Sequence, residues 1–277
     1  MALPNQLPPP STTTPENDFV WTRLRREAEE TAKAEPLLAG YLHDNILRHP
    51  SLESALSYFL AGKLASSYLG AVSLRDVFYE CLTVSDDLRE AVRSDISAVV
   101  ERDPAARSMV QPFLHFKGFH ALQSYRIAHW LWLQQRQPLA LYLQNRISEA
   151  FDVDIHPAAS IGKGILIDHG TSVVIGETAV VGDDVSMLHE VTLGGTGKEA
   201  GDRHPKVGKG VLIGAGAKIL GNIKIGEGAK IAAGSVVLNE VPPHTTVAGV
   251  PAKVVGKPKT DEPGLQMDQA VESDEHI

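Results

Sequence analysis

The sequence is poor in the features that mark several large classes of protein. Its 277 residues include one cysteine, Cys81, which excludes an intrachain disulfide framework and favours a reducing compartment. Acidic residues outnumber basic ones, and the formal net charge of −8 argues against a protein that tracks nucleic-acid phosphates. No apolar run approaches the roughly 20 residues that span a bilayer, and the start lacks a secretory signal. A cytoplasmic globular protein is expected, with neither nucleic acid nor membrane as a partner.

The first half of the chain predicts helices. Residues 1–15 are rich in Pro, Ser and Thr, which predicts a disordered leader over residues 1–18 and leaves an organelle-targeting role open. Over residues 19–151 the apolar positions recur at three-and-four spacing, as in a helical domain. Ser51 and Ser73 stand where N-caps of helices over 52–68 and 74–82 would lie. Pro104 ends another helix, so the Asp103 carboxylate should project from its terminus.

After residue 151 aliphatic residues recur at every sixth position, a period that neither an α-helix nor an ordinary strand generates. This spacing, with glycine often following, predicts a triangular parallel β-helix over residues 152–257, three six-residue units to a coil. The interruption at residues 195–206 should loop out and carry function. The fold class is therefore α+β, with a flexible acidic tail over residues 258–277. The aliphatic positions are Ile155, Ile161, Ile167 and Val173, then Ile175, Val181, Met187 and Leu193, then Val207, Ile213, Ile219, Ile225, Ile231 and Val237.

Motifs along the repeats and the helical half resemble the serine O-acetyltransferase family, hexapeptide-repeat enzymes that acetylate L-serine for cysteine synthesis. In the repeats they are FDVDIHP at 151–157, IDHG at 167–170, VIGET at 174–178, VTLGGTG at 191–197, GDRHPK at 201–206, PPHTT at 242–246 and AGVPA at 248–252. The segment FKGFHALQSYRIAHW at 116–130 is similar to that family's N-terminal domain, so the resemblance covers residues 19–258. It implies a left-handed β-helix, against the usual right-handed crossover. It also implies a trimer, or a hexamer of two trimers paired through the helical domains.

The resemblance implies that His169 is the general base. A serine hydroxyl is a poor nucleophile at neutral pH, and proton removal by a histidine typically contributes roughly 10²- to 10⁴-fold in rate. Asp154 is implied as the partner that fixes the imidazole and stabilises the imidazolium. The two are fifteen residues apart, close to one coil, so stacking in adjacent layers could bring them together. By residue type alone, His169 would be a surface or structural histidine and Asp154 a turn residue.

The resemblance also assigns the substrate contacts. Asp103 and Asp168 would bind the ammonium of serine, and Arg203 its carboxylate, since a planar guanidinium can pair with two oxygens. His204 would contact the substrate and assist proton transfer. Without the motifs, a helix-end carboxylate and a solvated loop would be the favoured interpretations of Asp103, Arg203 and His204.

Acetyl-CoA is implied as a co-substrate in the groove between neighbouring β-helices, where small residues let its pantetheine arm approach closely. No permanently bound cofactor and no metal site are expected. Transfer should be direct, because both substrates can be held together, and Cys81 is expected to be a buried hydrophobe. Each position that the resemblance implies for coenzyme binding could equally be an ordinary repeat residue or a solvated lysine. These positions are Gly195, Thr196, Ala215 and Ala233 along the groove, with Lys230 and Lys253 near the phosphates.

The last expectation concerns partners. The resemblance implies that Ile277 and its carboxylate enter the active site of O-acetylserine sulfhydrylase, a form of peptide recognition, and that L-cysteine is a feedback inhibitor. Two alternatives stay open: an acetyltransferase for a sugar or another small alcohol, and a noncatalytic scaffold that trimerises and regulates a partner. A metal enzyme similar to the γ-carbonic anhydrases is a third, more distant one. The role of His189 is left open.

Overall fold

The computed structural model describes residues 18–197 and 200–271, so Ile277 and nearly all of the predicted leader lie outside the described residues. The first half of the chain is helical. In the described residues, none of its helices has both the length and the apolar character needed to cross a membrane. The helices are α1 Phe19–Ala34, α2 Ala39–Leu42, α3 Leu52–Leu64, α4 Ala71–Val84, α5 Asp86–Arg102, α6 Val110–His115, α7 Lys117–Leu133 and α8 Gln137–Phe151.

The two predicted N-caps had different outcomes. Ser51 caps α3, because its hydroxyl accepts a hydrogen bond from the Ser54 amide at 3.3 Å. Helix α4 begins earlier than predicted, at Ala71 with Gly70 at the cap, so the N-cap prediction for Ser73 is wrong. Ser73 lies inside the first turn, where a helix tolerates serine.

The end of α3 also differs from the prediction. The helix ends at Leu64, four residues before the expected end, because the hydroxyl of Ser66 accepts from the amides of Tyr68 and Leu69 at 3.1 Å. Such local side-chain to backbone hydrogen bonds compete with helix continuation. The apolar spacing alone did not reveal this turn.

The second half forms a parallel β-helix, which confirms the predicted fold class. Sheet A contains β1, β4, β7, β10 and β13; sheet B contains β2, β5, β8 and β11; sheet C contains β3, β6, β9, β12, β14 and β15. Within these sheets the β14–β15 pair is antiparallel. The strands are β1 Val153–Ile155, β2 Ser160–Ile161, β3 Leu166–Ile167, β4 Val173–Ile175, β5 Val180–Val181, β6 Ser186–Met187, β7 Thr192–Gly194, β8 Lys206–Val207, β9 Leu212–Ile213, β10 Lys218–Leu220, β11 Lys224–Ile225, β12 Lys230–Ile231, β13 Val236–Val237, β14 Thr246–Gly249 and β15 Ala252–Gly256.

The six-residue aliphatics form the interior column. In sheet A, Ile155 pairs with Ile175, Ile175 with Leu193 and Leu193 with Ile219, so equivalent side chains stack from coil to coil. All fourteen predicted inward positions are buried except Ile161, which is partly buried. Burying each such side chain contributes about 1.5–3 kcal/mol, so the column stabilises the coil without a disulfide.

Each coil turns at three corners, and two of them position the candidate site. The histidine edge is the stack of turns that lead from sheet C to sheet A, at residues 168–172, 188–191, 214–217 and 232–235. The arginine edge is the stack of turns that lead from sheet A to sheet B, at residues 156–159, 176–179, 195–205 and 221–223. The two edges therefore lie on opposite sides of sheet A.

A buried ion pair fixes the helical half to the β-helix. Arg126 of α7 donates to Asp95 of α5 at 2.7 Å, and Asp95 is fully buried. The guanidinium also donates to the Gly162 carbonyl at 2.6 Å, and Asp95 accepts from the Ile165 amide at 3.0 Å. Because each charge has hydrogen-bonding partners on both halves, the pair specifies how α5 and α7 sit against the first coil.

A chain segment after β15 packs back on sheet C. A short helix, α9 Pro263–Gln266, lies in this segment, and the Gly264 carbonyl accepts from the buried Ser186 hydroxyl at 2.6 Å. The Gly264 amide donates to the Gly210 carbonyl at 2.9 Å. Residues 257–271, most of which fall in the predicted flexible tail, therefore make specific contacts with the β-helix.

Candidate active site

The turn between β3 and β4 presents His169 to solvent. His169 has a left-handed backbone with φ of 59°, and its side chain is 72% exposed. Two backbone hydrogen bonds fix the turn. The Asp168 amide donates to the Met187 carbonyl of the next coil at 2.8 Å, and the Gly170 amide donates to the Asp168 carbonyl within the turn at 2.7 Å. Left-handed residues other than glycine also occur at other turns of the β-helix, at Ser172, Asp184 and Glu190.

Two carboxylates converge beside His169. Burial raises the pKa of Asp168, the nearby His169 lowers it, and the Asp103 carboxylate raises it further. Asp103 comes from the end of α5, where it leaves the helical region with ψ of 110°. The Nε2 atom of His169 lies 3.7 Å from an Asp168 oxygen. Two neighbouring carboxylates that repel each other make a site where a small cation, such as an ammonium, relieves the repulsion.

His189 stands one coil below His169. The two rings are 5.7 Å apart in an edge-on arrangement. The Nδ1 atom of His189 is buried and has no hydrogen-bond partner in the described part of the chain. The histidine edge therefore carries a second imidazole close to the first.

Small residues continue the histidine edge away from the imidazoles. Ala215 follows β9 and Ala233 follows β12, each in a turn that enters sheet A. The turns stack directly, because Gly216 donates to the His189 carbonyl at 2.9 Å and Gly234 donates to the Ala215 carbonyl at 2.8 Å. The result is a narrow strip of small side chains running from His189 along the coil axis.

The arginine edge holds the other predicted substrate residues. Arg203 donates to the Glu177 carboxylate at 2.7 Å, and this contact lowers the pKa of Glu177. The Thr178 hydroxyl accepts from the amides of Arg203 and His204 at 3.0 and 3.1 Å. Lys206 ties down the end of the insertion by donating to the Thr178 carbonyl at 2.8 Å. The insertion is therefore fixed where Arg203 and His204 emerge.

His204 has a defined tautomer when it is neutral. Its Nδ1 accepts from the Thr178 amide at 3.2 Å, so the proton of the neutral ring is on Nε2. Burial and the adjacent Arg203 lower the pKa of His204, which favours that neutral form. The ring lies on Gly176, where an added Cβ would come 2.0 Å from Nε2, so the ring can keep this position only over a glycine.

Asp154 lies between the two edges, on the outer face of sheet A. Val153 and Ile155 on either side of it point into the core. Its Oδ1 accepts from Gln144 of α8 at 2.7 Å. Its register partner in the next coil is Val174, because the first coil is twenty residues long, so the expectation that Asp154 and His169 stack in adjacent layers is wrong. Within the described residues of one chain, Asp154 makes no hydrogen bond to His169.

The predicted coenzyme positions divide between the edges and sheet C. Gly195 and Thr196 begin the insertion on the arginine edge, and a Cβ on Gly195 would lie 3.4 Å from Arg203. Lys230 of β12 is buried, and its ammonium donates to the Ala270 carbonyl at 2.5 Å. Lys253 of β15 is exposed.

Cys81 lies far from either edge in sequence, inside α4. It is fully buried, and burial raises the pKa of its thiol to about 12, so it stays protonated and unreactive at neutral pH. Within residues 18–197 and 200–271, no three or more His, Cys, Asp or Glu side chains are grouped as ligands for a metal ion.

Comparison with known proteins identifies the family. The family model described as "Serine acetyltransferase, N-terminal" matches residues 20–124, and "Bacterial transferase hexapeptide (six repeats)" matches residues 204–239. The serine acetyltransferase of Salmonella typhimurium is 56% identical over 254 residues, which cover 92% of this chain and 93% of that protein. The chain belongs to the serine acetyltransferase family.

Solved structures of serine acetyltransferases share the same fold. One in complex with cysteine is 56% identical with a TM-score of 0.88, covering 91% of this chain and 98% of that one. Soybean serine acetyltransferase complexed with serine is 57% identical with a TM-score of 0.85, covering 88% of this chain and 100% of that one. The Brucella abortus enzyme in complex with coenzyme A is 52% identical with a TM-score of 0.85, covering 87% and 96%.

Sequence reasoning did not assign two residues that the structure places beside the predicted serine acetyltransferase site. Glu177 accepts a hydrogen bond from Arg203. The signal that could have identified it is its place in the VIGET motif, where an acidic side chain beside Thr178 is a candidate partner for a guanidinium. The His189 ring lies beside the His169 ring. The two residues are twenty positions apart in the sequence, the length of one coil, and this spacing is the signal that could have placed them together.

Proposed function

We propose that this chain transfers the acetyl group of acetyl-CoA to the hydroxyl of L-serine, giving O-acetyl-L-serine and CoA, the step before sulfide incorporation in cysteine biosynthesis. Membership of the serine acetyltransferase family supports the reaction, as do related structures that contain serine and coenzyme A. A complete charge set for an amino acid supports the acceptor: Asp103 and Asp168 for the ammonium, and Arg203 for the carboxylate.

One observation carries the proposal that the site forms between subunits. The charge set is split between two edges on opposite sides of sheet A, whose strands are two or three residues long. Three residues extend about 10 Å, and a molecule as small as serine cannot bridge the two edges of one chain. In a cyclic trimer two different patches of neighbouring subunits meet, so the histidine edge of one subunit would face the arginine edge of the next.

In the proposed reaction His169 accepts the proton of the serine hydroxyl on Nε2 while the oxygen attacks the thioester carbonyl. The tetrahedral intermediate then expels the CoA sulfur, which takes the proton from the imidazolium. No acyl-enzyme forms, because both substrates meet in one groove. The Asp154 carboxylate, on the face between the edges, would stabilise the imidazolium of the adjoining subunit, and His204 would contact the bound serine.

The strip of small residues on the histidine edge supports a path for the pantetheine arm. The arm would pass Ala215 and Ala233, opposite Gly195 and Thr196 of the neighbouring subunit. The exposed Lys253 would pair with a phosphate. Lys230, which donates to Ala270, would take a phosphate once the segment after β15 moves.

The test of the acceptor is release of CoA from acetyl-CoA in the presence of L-serine. Release should depend on L-serine and should not occur with sugars or other small alcohols at equal concentration. His169→Asn should lower kcat by about 10²- to 10⁴-fold while the protein stays folded. Wild-type turnover by a folded His169→Asn enzyme would remove the base assignment and would favour the noncatalytic scaffold.

Mixed oligomers test the assembly between subunits. His169→Asn and Arg203→Ala are each expected to be inactive, but chains mixed by unfolding and refolding should regain activity. Random mixing in equal amounts leaves about a quarter of the sites with both residues intact. If mixing restored no activity although mass spectrometry showed mixed oligomers, His169 and Arg203 of one site would have to come from the same chain. The proposal that the site forms in a groove between subunits would then fail.

We further infer a cytoplasmic enzyme that forms trimers, or hexamers through the helical domain of residues 19–151. L-cysteine would act as a feedback inhibitor at the serine site, in line with the related structure in complex with cysteine. Binding of O-acetylserine sulfhydrylase through Ile277, at the end of the tail, is proposed from family membership. A pull-down with and without Ile277 tests this contact.

A further inference from the structure

A basic cavity lies in the helical half, and its wall at Lys117 adjoins Gly118, which packs on the turn that carries His169. It has a volume of about 640 Å³ and opens between α2, α3, α6, α7 and α8. That volume falls within the roughly 300–1,000 Å³ of small-molecule sites. The reaction proposed above uses none of its lining residues.

The charges around this cavity are opposite in sign to those of the chain as a whole. Three cationic side chains line it, Lys63, Lys117 and Arg146, against one carboxylate, Glu149. Arg146 already pairs with Glu149 and donates to the Leu64 carbonyl at 3.2 Å. The protein carries a formal net charge of −8, so this concentration of positive charge is local.

The two lysines have no counter-ion among the described residues. In the described part of the chain, neither Lys63 nor Lys117 has a carboxylate within 4.0 Å. Lys63 instead lies over the Phe59 ring at 5.3 Å from its centroid. Burial and the charge of Lys63 lower the pKa of His115, another residue of the cavity wall, which indicates that the positive potential reaches across the opening.

The start of α7 adds to this potential. Lys117 is the first residue of this seventeen-residue helix, and the Phe116 N-cap offers no side-chain acceptor to the first amides. The positive end of the helix dipole therefore lies at the cavity wall. Tyr41 supplies a hydroxyl there, and burial raises its pKa, which keeps it protonated as a donor.

We propose that this cavity binds a small phosphorylated metabolite, with Lys63 and Lys117 pairing with its phosphate group. A dianionic phosphate would satisfy both ammonium groups, while the remaining volume accommodates the organic part. Glu149, held by Arg146, leaves the two lysines free for the ligand. The site is separate from the proposed coenzyme positions, all of which lie on the β-helix. The proposal does not depend on acetyl transfer, because its test measures binding.

The test is isothermal titration calorimetry on the full-length protein, with saturating CoA present so that any phosphate site for the coenzyme is already occupied. The probes are glucose 6-phosphate and inorganic phosphate, with glucose as the uncharged control. The variants are Lys63→Gln, Lys117→Gln and the double substitution. Lys33→Gln, an exposed lysine in the last turn of α1, is the matched control.

Glucose 6-phosphate should bind saturably, and glucose should not. Each single substitution should weaken binding about tenfold, since a charge-assisted contact contributes about 1.5 kcal/mol or more. Lys33→Gln should bind as the wild type does. If inorganic phosphate bound and glucose 6-phosphate did not, the proposal that the ligand is a phosphorylated metabolite would be overturned, although the cavity would still be an anion site. Absence of binding below ~10 mM, or full binding by the folded double variant, would overturn the proposal.

Discussion

Replacing Gly118 by alanine should move the turn that carries His169, the proposed base. Gly118 is in the first turn of α7, and an added Cβ would lie 2.1 Å from the Ile167 carbonyl oxygen and 3.1 Å from its carbonyl carbon. Ordinary C···O contacts are about 3.3 Å or longer, so α7 and β3 must separate by about 1.2 Å. The obstacle is backbone of the strand that leads into His169, so no side-chain rotation relieves it. Overpacking of this kind costs about 1–3 kcal/mol.

The displacement should reduce catalysis more than folding. Misplacement of a reacting group by 1 Å can cost about 10²-fold in rate, so kcat for L-serine should fall by about that factor. The assay is CoA release at saturating substrates, with thermal unfolding measured in parallel.

Gly62→Ala is the matched control for Gly118→Ala. Gly62 is in α3, and an added Cβ meets nothing within 4 Å. Alanine there should leave kcat unchanged and raise stability by about 0.5–1 kcal/mol, because glycine is a poor helix former. If Gly118→Ala behaved in the same way, with wild-type kcat and a raised melting temperature, the close packing of α7 on the His169 turn would be refuted.

Three further substitutions test separate parts of the structure. Gly176→Ala should push the His204 ring away and raise KM for serine about tenfold through loss of its hydrogen bond; an unchanged KM would show that this ring does not contact the substrate. Asp168→Asn should abolish serine turnover yet raise the melting temperature at pH 7 more than at pH 3. The reason is that a carboxyl with a raised pKa holds its proton more tightly in the folded state, so its ionisation destabilises the fold as pH rises; equal melting shifts at both pH values would contradict this. Tyr125→Phe removes the donor to the buried Ala159 carbonyl, a 2.5 Å contact, and should cost about 1–3 kcal/mol in urea denaturation, whereas a loss under 0.5 kcal/mol would mean that another donor replaces it.

The β-helix was predictable because its repeat is local. Each six-residue unit repeats the same inward aliphatic, so a small window contains the information for one face, and stacking makes every unit depend on its neighbours in the same way. The inward positions from Ile155 to Val237 were correct for this reason. The insertion at residues 195–206 was also visible, since the phase fails there.

The positions of single polar groups were less predictable. Ser73 has the residue type of an N-cap, but Gly70 caps α4 because the chain between α3 and α4 turns at Ser66. The spacing of fifteen residues predicts that Asp154 and His169 lie close to one coil apart, but the first coil has two more residues than the eighteen of the repeat. The start of a helix and the length of a coil depend on the geometry of the turns, and the spacing of the hydrophobic residues does not encode that geometry.

The separation of the two edges has a consequence for how activity depends on assembly. Each chain contains a complete aliphatic column, from Ile155 to Val237, so its coil does not need a neighbour to bury its core. The residues proposed to bind the substrate, in contrast, are divided between the His169 turn and the Arg203 insertion, with sheet A between them. A subunit that dissociates should therefore keep its fold and lose its proposed site. Dilution below the dissociation constant of the proposed trimer should reduce turnover per chain without changing the far-ultraviolet circular dichroism, and recovery on concentration should be complete.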